Sequence, residues 1–205
     1  MSIEKIFDKY LEIFEREITI LDSTFRLFLH LKECLIVKRK EMEYSPCFFN
    51  LIFKTLTHYI VVNICKLFEN YKGNERSDFN LNKFLNFIEQ NRDKIFRKEV
   101  LISTIVEDEE KIKEQKKILD NFFGWRDKYY THFSKNLLHP QEVSAKYPIK
   151  KENFERLINI SKEIVNKYCV LSDKEKLVFE IINYNDINNI FYILQRNYKI
   201  NHKMN

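Results

Sequence analysis

Two glycines and three prolines are all that this chain of 205 residues contains. Strand-rich and doubly wound folds need frequent turn residues, and phosphate loops need several glycines, so the shortage argues against both and for long helices. Other signatures are missing as well: there is no HExxH, no nucleophile-serine elbow and no repeated carboxylate-histidine pair of the di-iron bundles. The four cysteines, Cys34, Cys47, Cys65 and Cys169, form no CxxC pair and sit in or beside apolar runs. They read as buried free thiols of a reducing compartment. No uninterrupted apolar run approaches the ~18 residues needed to span a bilayer. The opening MSIEKIFDKYLEIF carries acidic residues in place of a secretory apolar segment. A cytoplasmic location without a membrane partner is expected.

What is present fits a folded chain. Hydrophobic residues make up 44% and charged residues 32%, too apolar a balance for disorder. The net charge of +5 is only a mild lean towards anionic partners. Eighteen Phe and eleven Tyr would suit strands, but their helical spacing outweighs that preference. From Ile3 to about Lys40 apolar residues recur three and four apart, which predicts one long amphipathic helix or two short ones around a break. Pro46 marks the next boundary, and a nearly continuous apolar segment from Cys47 to Asn70 reads as the central buried helix of a bundle. The β-branched section from Tyr59 to Ile64 could pass for a strand in isolation, but its flanks extend the helical period. A third helix is expected near Asp78. Beyond it the charged run EDEEKIKEQKK should be solvated, and a helix there can continue to residue 125, with Gly124 as a bend or close-packing point. Pro140 and Pro148 bound an expected loop, and ENFERLINISKEIVNKYCVLS is again helical. The expected architecture is all-α: an antiparallel bundle of four or five core helices over residues 1–171, with a C-terminal helical appendage, residues 172–205, packed on the same domain.

Two histidine-cysteine pairs deserve a chemical test. His30 and Cys34 lie four apart, and His58 and Cys65 seven apart, so two half-sites could converge on zinc. Both are embedded in the most apolar segments, where packed histidines and inert thiols are the ordinary outcome; no metal and no cofactor is expected. The stretch WRDKYYTH, from Trp125 to His132, gathers more functional groups than a soluble helix needs. Arg126 can hold a phosphate by its fork and Lys128 as a point charge. His132 can exchange a proton near neutrality, and Tyr129 and Tyr130 can stack on bases. RNA brings its own nucleophile, the 2'-hydroxyl, so cleavage needs a base, an acid and positive charge over the phosphorane. Residues six apart on an ideal helix are roughly 120° around the axis and about 9 Å along it from one another. Arg126 and His132 meet one phosphate only through a bend, through the reach of the Arg side chain, or through a second copy across a two-fold axis, which would supply two histidines. The bland alternative is a solvated face: surface pairs among Arg126, Asp127 and Lys128, with Trp125, Tyr129 and Phe133 anchoring the helix.

RDKYYTH resembles the signature of the HEPN superfamily (higher eukaryotes and prokaryotes nucleotide-binding): an Arg, a polar residue directly after it, and a His after four to six intervening residues. Arg126, Asp127 and His132 match it with five between. The fuller WRDKYYTHFSKN, after a long charged helix and before a loop and another helix, is similar to the abortive-infection U group, and the resemblance covers roughly residues 5 to 170. It implies a four- or five-helix bundle that dimerises about the motif helices and, in many members, a metal-independent endoribonuclease used in phage defence or as a toxin. In this chain it implies His132 as general base or acid, Arg126 on the phosphate, Asp127 orienting Arg126 or His132, Lys128 assisting electrostatically, and Tyr129 and Tyr130 as packing and rim groups on the substrate side. RNA, a second copy of the chain, and an antitoxin or regulatory protein are the implied partners. The subgroup controlled by nucleotidyltransferase antitoxins carries a Tyr two residues after the His, where this sequence has Ser134, which argues against that mode of control. Some members have lost cleavage and serve as RNA- or nucleotide-binding dimers, the alternative reading; a structural or protein-binding bundle is a third. The region beyond Ser172 is not explained by the resemblance.

Overall fold

In a computed structural model, residues 1–69, 79–130, 139–182 and 186–201 are described. Among them every regular element is helical, as expected: α1 (Ile3–Val37), α2 (Arg39–Met42), α3 (Pro46–Leu67), α4 (Leu81–Ile95), α5 (Ile102–Lys113), α6 (Lys116–Trp125), a π-helical turn (Arg126–Tyr130), α7 (Pro140–Lys146), α8 (Lys151–Leu171) and α9 (Asp186–Asn201). Two compact units form, Met1–Ile18 with Val61–Phe179 and Thr19–Ile60 with Glu180–Asn205.

The first unit follows from the helical period. Phe7, Tyr10, Leu11, Phe14 and Ile18 bury one stripe of α1, and Leu81, Phe84, Leu85 and Ile88 bury one stripe of α4. Asn80 starts α4 as an N-cap, its side chain accepting from the Lys83 N–H at 2.9 Å and satisfying a donor the first turn leaves open. Phe84 has no exposed surface, and its ring lies within 5.2–6.0 Å of the rings of Phe14, Tyr10, Tyr168 and Phe7. One side chain therefore ties α1, α4 and α8 together.

Three sequence expectations are corrected in this unit. The charged run does not carry a continuous helix: a break at Glu114 and Gln115 separates α5 from α6. Gln115 is buried, and its amide donates to the Lys111 carbonyl at 3.1 Å, taking up an acceptor at the end of α5. Nor is the run wholly solvated. Asp108 is fully buried and accepts from Lys167 at 2.6 Å and Lys111 at 3.2 Å, an ion-paired tie from α5 to α8 that a count of charges does not reveal. Burial, reinforced by the Asp108 charge, also raises the pKa of the Tyr168 phenol. Between the two prolines the chain forms α7 where a loop was expected; Pro140 takes the first helical position and Glu142 accepts from the His139 N–H at 2.8 Å.

In the second unit Leu31, Cys34, Met42, Phe49 and Phe191 form a core flanked by Ile187 and Leu194. Phe49 stacks on Phe191 at 5.8 Å, and Ile182 N–H donates to Ser23 Oγ at 2.9 Å, so residues after the first unit's last segment are held here. The α3 helix is buried along its C-terminal portion, Ile60 to Leu67, where only Lys66 is exposed. It is not buried throughout, as the sequence had suggested: Phe48 and Leu51 are 52% and 63% exposed, because Phe49 takes the inward face. Cys47 is exposed, contrary to the expectation of four buried thiols, whereas Cys34, Cys65 and Cys169 are buried and free. By length and composition α3 is long and apolar enough to cross a membrane, a test that core helices also pass.

Removing the Phe84 ring should leave a cavity bordered by four aromatic neighbours. Phe84→Ala is expected to destabilise the fold by about 3–5 kcal/mol. Urea unfolding followed by circular dichroism reads this directly, and a change below about 1 kcal/mol would contradict the hub.

Candidate functional site

The motif sits where α6 changes its winding. Residues 116–125 are α-helical, and from Arg126 to Tyr130 the backbone takes a π-helical turn, an insertion that often marks functional positions. The segment before the turn is strapped down. Trp125 Nε1 donates to the Tyr147 carbonyl at 2.8 Å, and Asn121 Nδ2 donates to the Pro148 carbonyl at 2.8 Å. The Tyr147 ring occupies the space that a Cβ on Gly124 would need, so glycine is required for this close approach.

Arg126 side-chain exposure is 23%, and its charge is matched at two edges. Its Nε donates to Asp127 Oδ1 at 2.7 Å and its Nη1 to Glu69 Oε1 at 3.2 Å. The Phe123 ring lies beneath, 4.9 Å from the guanidinium carbon, a cation-π distance. Burial opposes the Arg126 charge, but the Asp127 hydrogen bond and the carboxylate charges of Asp127 and Glu69 work against that, and the pKa moves upward. Arg126 is a permanent cation in a prepared seat.

Of the residues singled out in the sequence, Asp127 lies against Arg126 and accepts from its Nε. Lys128 is exposed. Tyr129 and Tyr130 are half-buried and pack edge-to-face at 4.9 Å, with Trp125 at 5.7 and 6.1 Å from them, a fixed aromatic cluster beside the cation. Burial, with Tyr129 next in effect, raises the Tyr130 phenol's pKa. His132 and Ser134 lie outside the described residues.

Glu69 was not singled out from the sequence, although a signal existed: no Asp or Glu lies between Glu43 and Glu69, so it is the first acid after a long apolar stretch. It is 8% exposed, and its backbone carbonyl accepts from Asn82 Nδ2 at 3.2 Å, tying the end of α3 to α4. Of the weighed zinc half-sites, His30 and Cys34 lie side by side with Asn188 also on the ring. His30 Nε2 lies 3.0 Å from Asn188 Oδ1 and 3.8 Å from Cys34 Sγ, while Cys65 belongs to the surroundings of Arg126. Among the described residues no three His, Cys, Asp or Glu side chains are grouped to hold a metal ion.

Burial pushes the Cys65 thiol up to about 12; Arg126 works against this, and Asp127 and Glu69 add to it. A thiol whose folded pKa is raised above the 9.0 of the open chain loses its proton more readily when unfolded. Its contribution to stability is complete below that value and declines as pH rises towards 12. Intact-mass labelling with iodoacetamide at pH 8 is expected to modify Cys47 and spare Cys65, and Cys65→Ala should flatten the loss of stability above pH 9. Rapid labelling of Cys65 in the folded chain would contradict its burial.

No curated protein and no solved structure matches the chain. The model of the HEPN family described as AbiU2 matches residues 4–190, which takes in nearly all of α1, every element from α2 to α8, the first turn of α9 and the whole Arg126 seat. With that match across most of its length and a helical fold among the described residues, the chain belongs to the AbiU2 family of HEPN proteins.

Proposed function

We propose that the chain is a metal-independent endoribonuclease of the phage-defence or toxin type, acting on RNA at a site composed of two copies. The observation that supports this most is Arg126 itself: a cation held at two edges and from below, on a π-helical turn beside a cluster of aromatic rings. Such a group stabilises charge that develops in a transition state without having to reorganise. The family match gives that geometry its chemical setting.

In the proposed reaction the 2'-oxygen attacks the adjacent phosphorus while a base takes its proton. The bond from phosphorus to the 5'-oxygen breaks, and an acid protonates the leaving oxygen. The products are a 2',3'-cyclic phosphate and a free 5'-hydroxyl; no water or redox partner enters the step. His132 of one copy serves as base and His132 of the other as acid, Arg126 balances the phosphorane charge, and Lys128 adds a second, exposed cation. Tyr129 and Tyr130 border the substrate path as rings on which bases can stack. An antitoxin or another regulatory protein is the proposed means of holding the activity in check.

Incubating the full-length protein with total RNA in a chelator and mapping the new termini tests this reading. Cyclic-phosphate and 5'-hydroxyl ends are expected, with His132→Ala slower by about 10²–10⁴-fold. Equal cleavage by wild type and His132→Ala would overturn it. Binding without cleavage, weakened by Arg126→Ala and indifferent to His132→Ala, would establish the noncatalytic RNA-binding alternative.

A further inference from the structure

Glu69 comes to Arg126 from a different part of the chain than Asp127 does, and the two carboxylates grip different atoms. Asp127, the next residue along, takes Nε at 2.7 Å. A guanidinium held only there can still pivot about that bond. Glu69, just past the end of α3, takes Nη1 at 3.2 Å. Two acceptors on one planar fork fix its rotation as well as its position, and the Phe123 ring at 4.9 Å fixes its tilt. Glu69 is itself anchored: it is 8% exposed, and Asn82 Nδ2 holds its carbonyl at 3.2 Å. Asp127, by contrast, has a side chain 42% exposed.

We propose that Glu69 is the positioning residue of the site, holding the Arg126 guanidinium in the orientation in which it meets the reacting phosphate. It touches no substrate and transfers no proton. The inference rests on the ribonuclease reading for its consequence, but the positioning can be measured without it. A misoriented Arg leaves ground-state attraction for a polyanion largely intact, because charge at a few ångströms' displacement still attracts. It loses the transition-state contact, whose geometry is strict. The expected signature is therefore a lower kcat with KM little changed, whereas a purely structural role for the ion pair would lower the folded fraction and leave the kcat of folded molecules alone.

The experiment uses full-length Glu69→Ala and Glu69→Gln, assayed on RNA at a temperature where circular dichroism shows both fully folded. Glu69→Ala is expected to lower kcat by about 10²-fold and Glu69→Gln, which keeps an oxygen acceptor, by about tenfold, with KM within about twofold of wild type. In an Arg126→Ala background, Glu69→Ala should add no further loss. Wild-type kcat in folded Glu69→Ala, or an undiminished loss in the Arg126→Ala background, would overturn the proposal. A second readout is independent of activity: the side-chain Nη–H signals of Arg126 in nitrogen-15 NMR should report slow rotation about Cζ–Nη1 in wild type and fast rotation in Glu69→Ala. Equally slow rotation in both would overturn the proposal. If Arg126→Ala cleaves RNA as fast as wild type, the ribonuclease reading fails, and the NMR comparison still decides whether Glu69 positions Arg126.

Discussion

A cation largely withdrawn from water must be answered by negative charge, and the way Arg126 is answered organises the region around it. Losing one partner of such a buried pair leaves an unmatched charge, which costs far more than the pair contributes when intact. Glu69 brings the end of α3 to the motif, Asn82 ties that end to α4, and Asp127 comes from the motif itself. The same helix is also held by the Tyr147 and Pro148 carbonyls, at a point where Gly124 leaves room for the Tyr147 ring. The segments that hold the cation and its helix are spread from α3 to the turn after α7. The seat is thus a property of the whole first unit, which explains why a short motif on one helix needs so much surrounding chain.

The core of that unit stands on a different force. Phe84, Phe7, Phe14, Tyr10 and Tyr168 pack as an aromatic cluster, and burial of such rings is worth more than any exposed ion pair on the surface. Asp108 is a charged group among buried residues of this unit, acceptable in the interior because two lysines donate to it. Buried Asp108 and partly buried Arg126 therefore occupy the same unit with opposite sign and separate partners. The first links α5 to α8; the second faces the chemistry.

Much of this was legible in the residues. The stripe of α1 follows from apolar residues three and four apart, the start of α3 from Pro46, and the role of Gly124 as a packing point from the scarcity of glycine elsewhere. Arg126 with Asp127 was legible because chemistry and a family signature coincide there. Contacts between distant residues were not. Nothing local distinguishes Asp108 from the acids on either side of it, and Glu69 is an acid at the end of a helix until Arg126 is seen opposite. Pro140 misled because one residue type serves both as a helix breaker and as a favoured first-turn residue, and only the downstream Glu142 bond settles which applies. The exposed N-terminal part of α3 escaped notice because an apolar sequence has no way of stating how much of it finds a partner.

The proposed mechanism makes each chain half of a catalyst, since base and acid are assigned to different copies. Subunit mixing addresses that claim most directly. Wild-type protein is combined with increasing His132→Ala protein under conditions that allow chains to exchange, and RNA cleavage is measured at constant total protein. If both copies must contribute, activity follows the square of the wild-type fraction and falls to about a quarter at equal amounts. If each chain carries a complete site, activity falls only in proportion, to about half, and the composite site is contradicted.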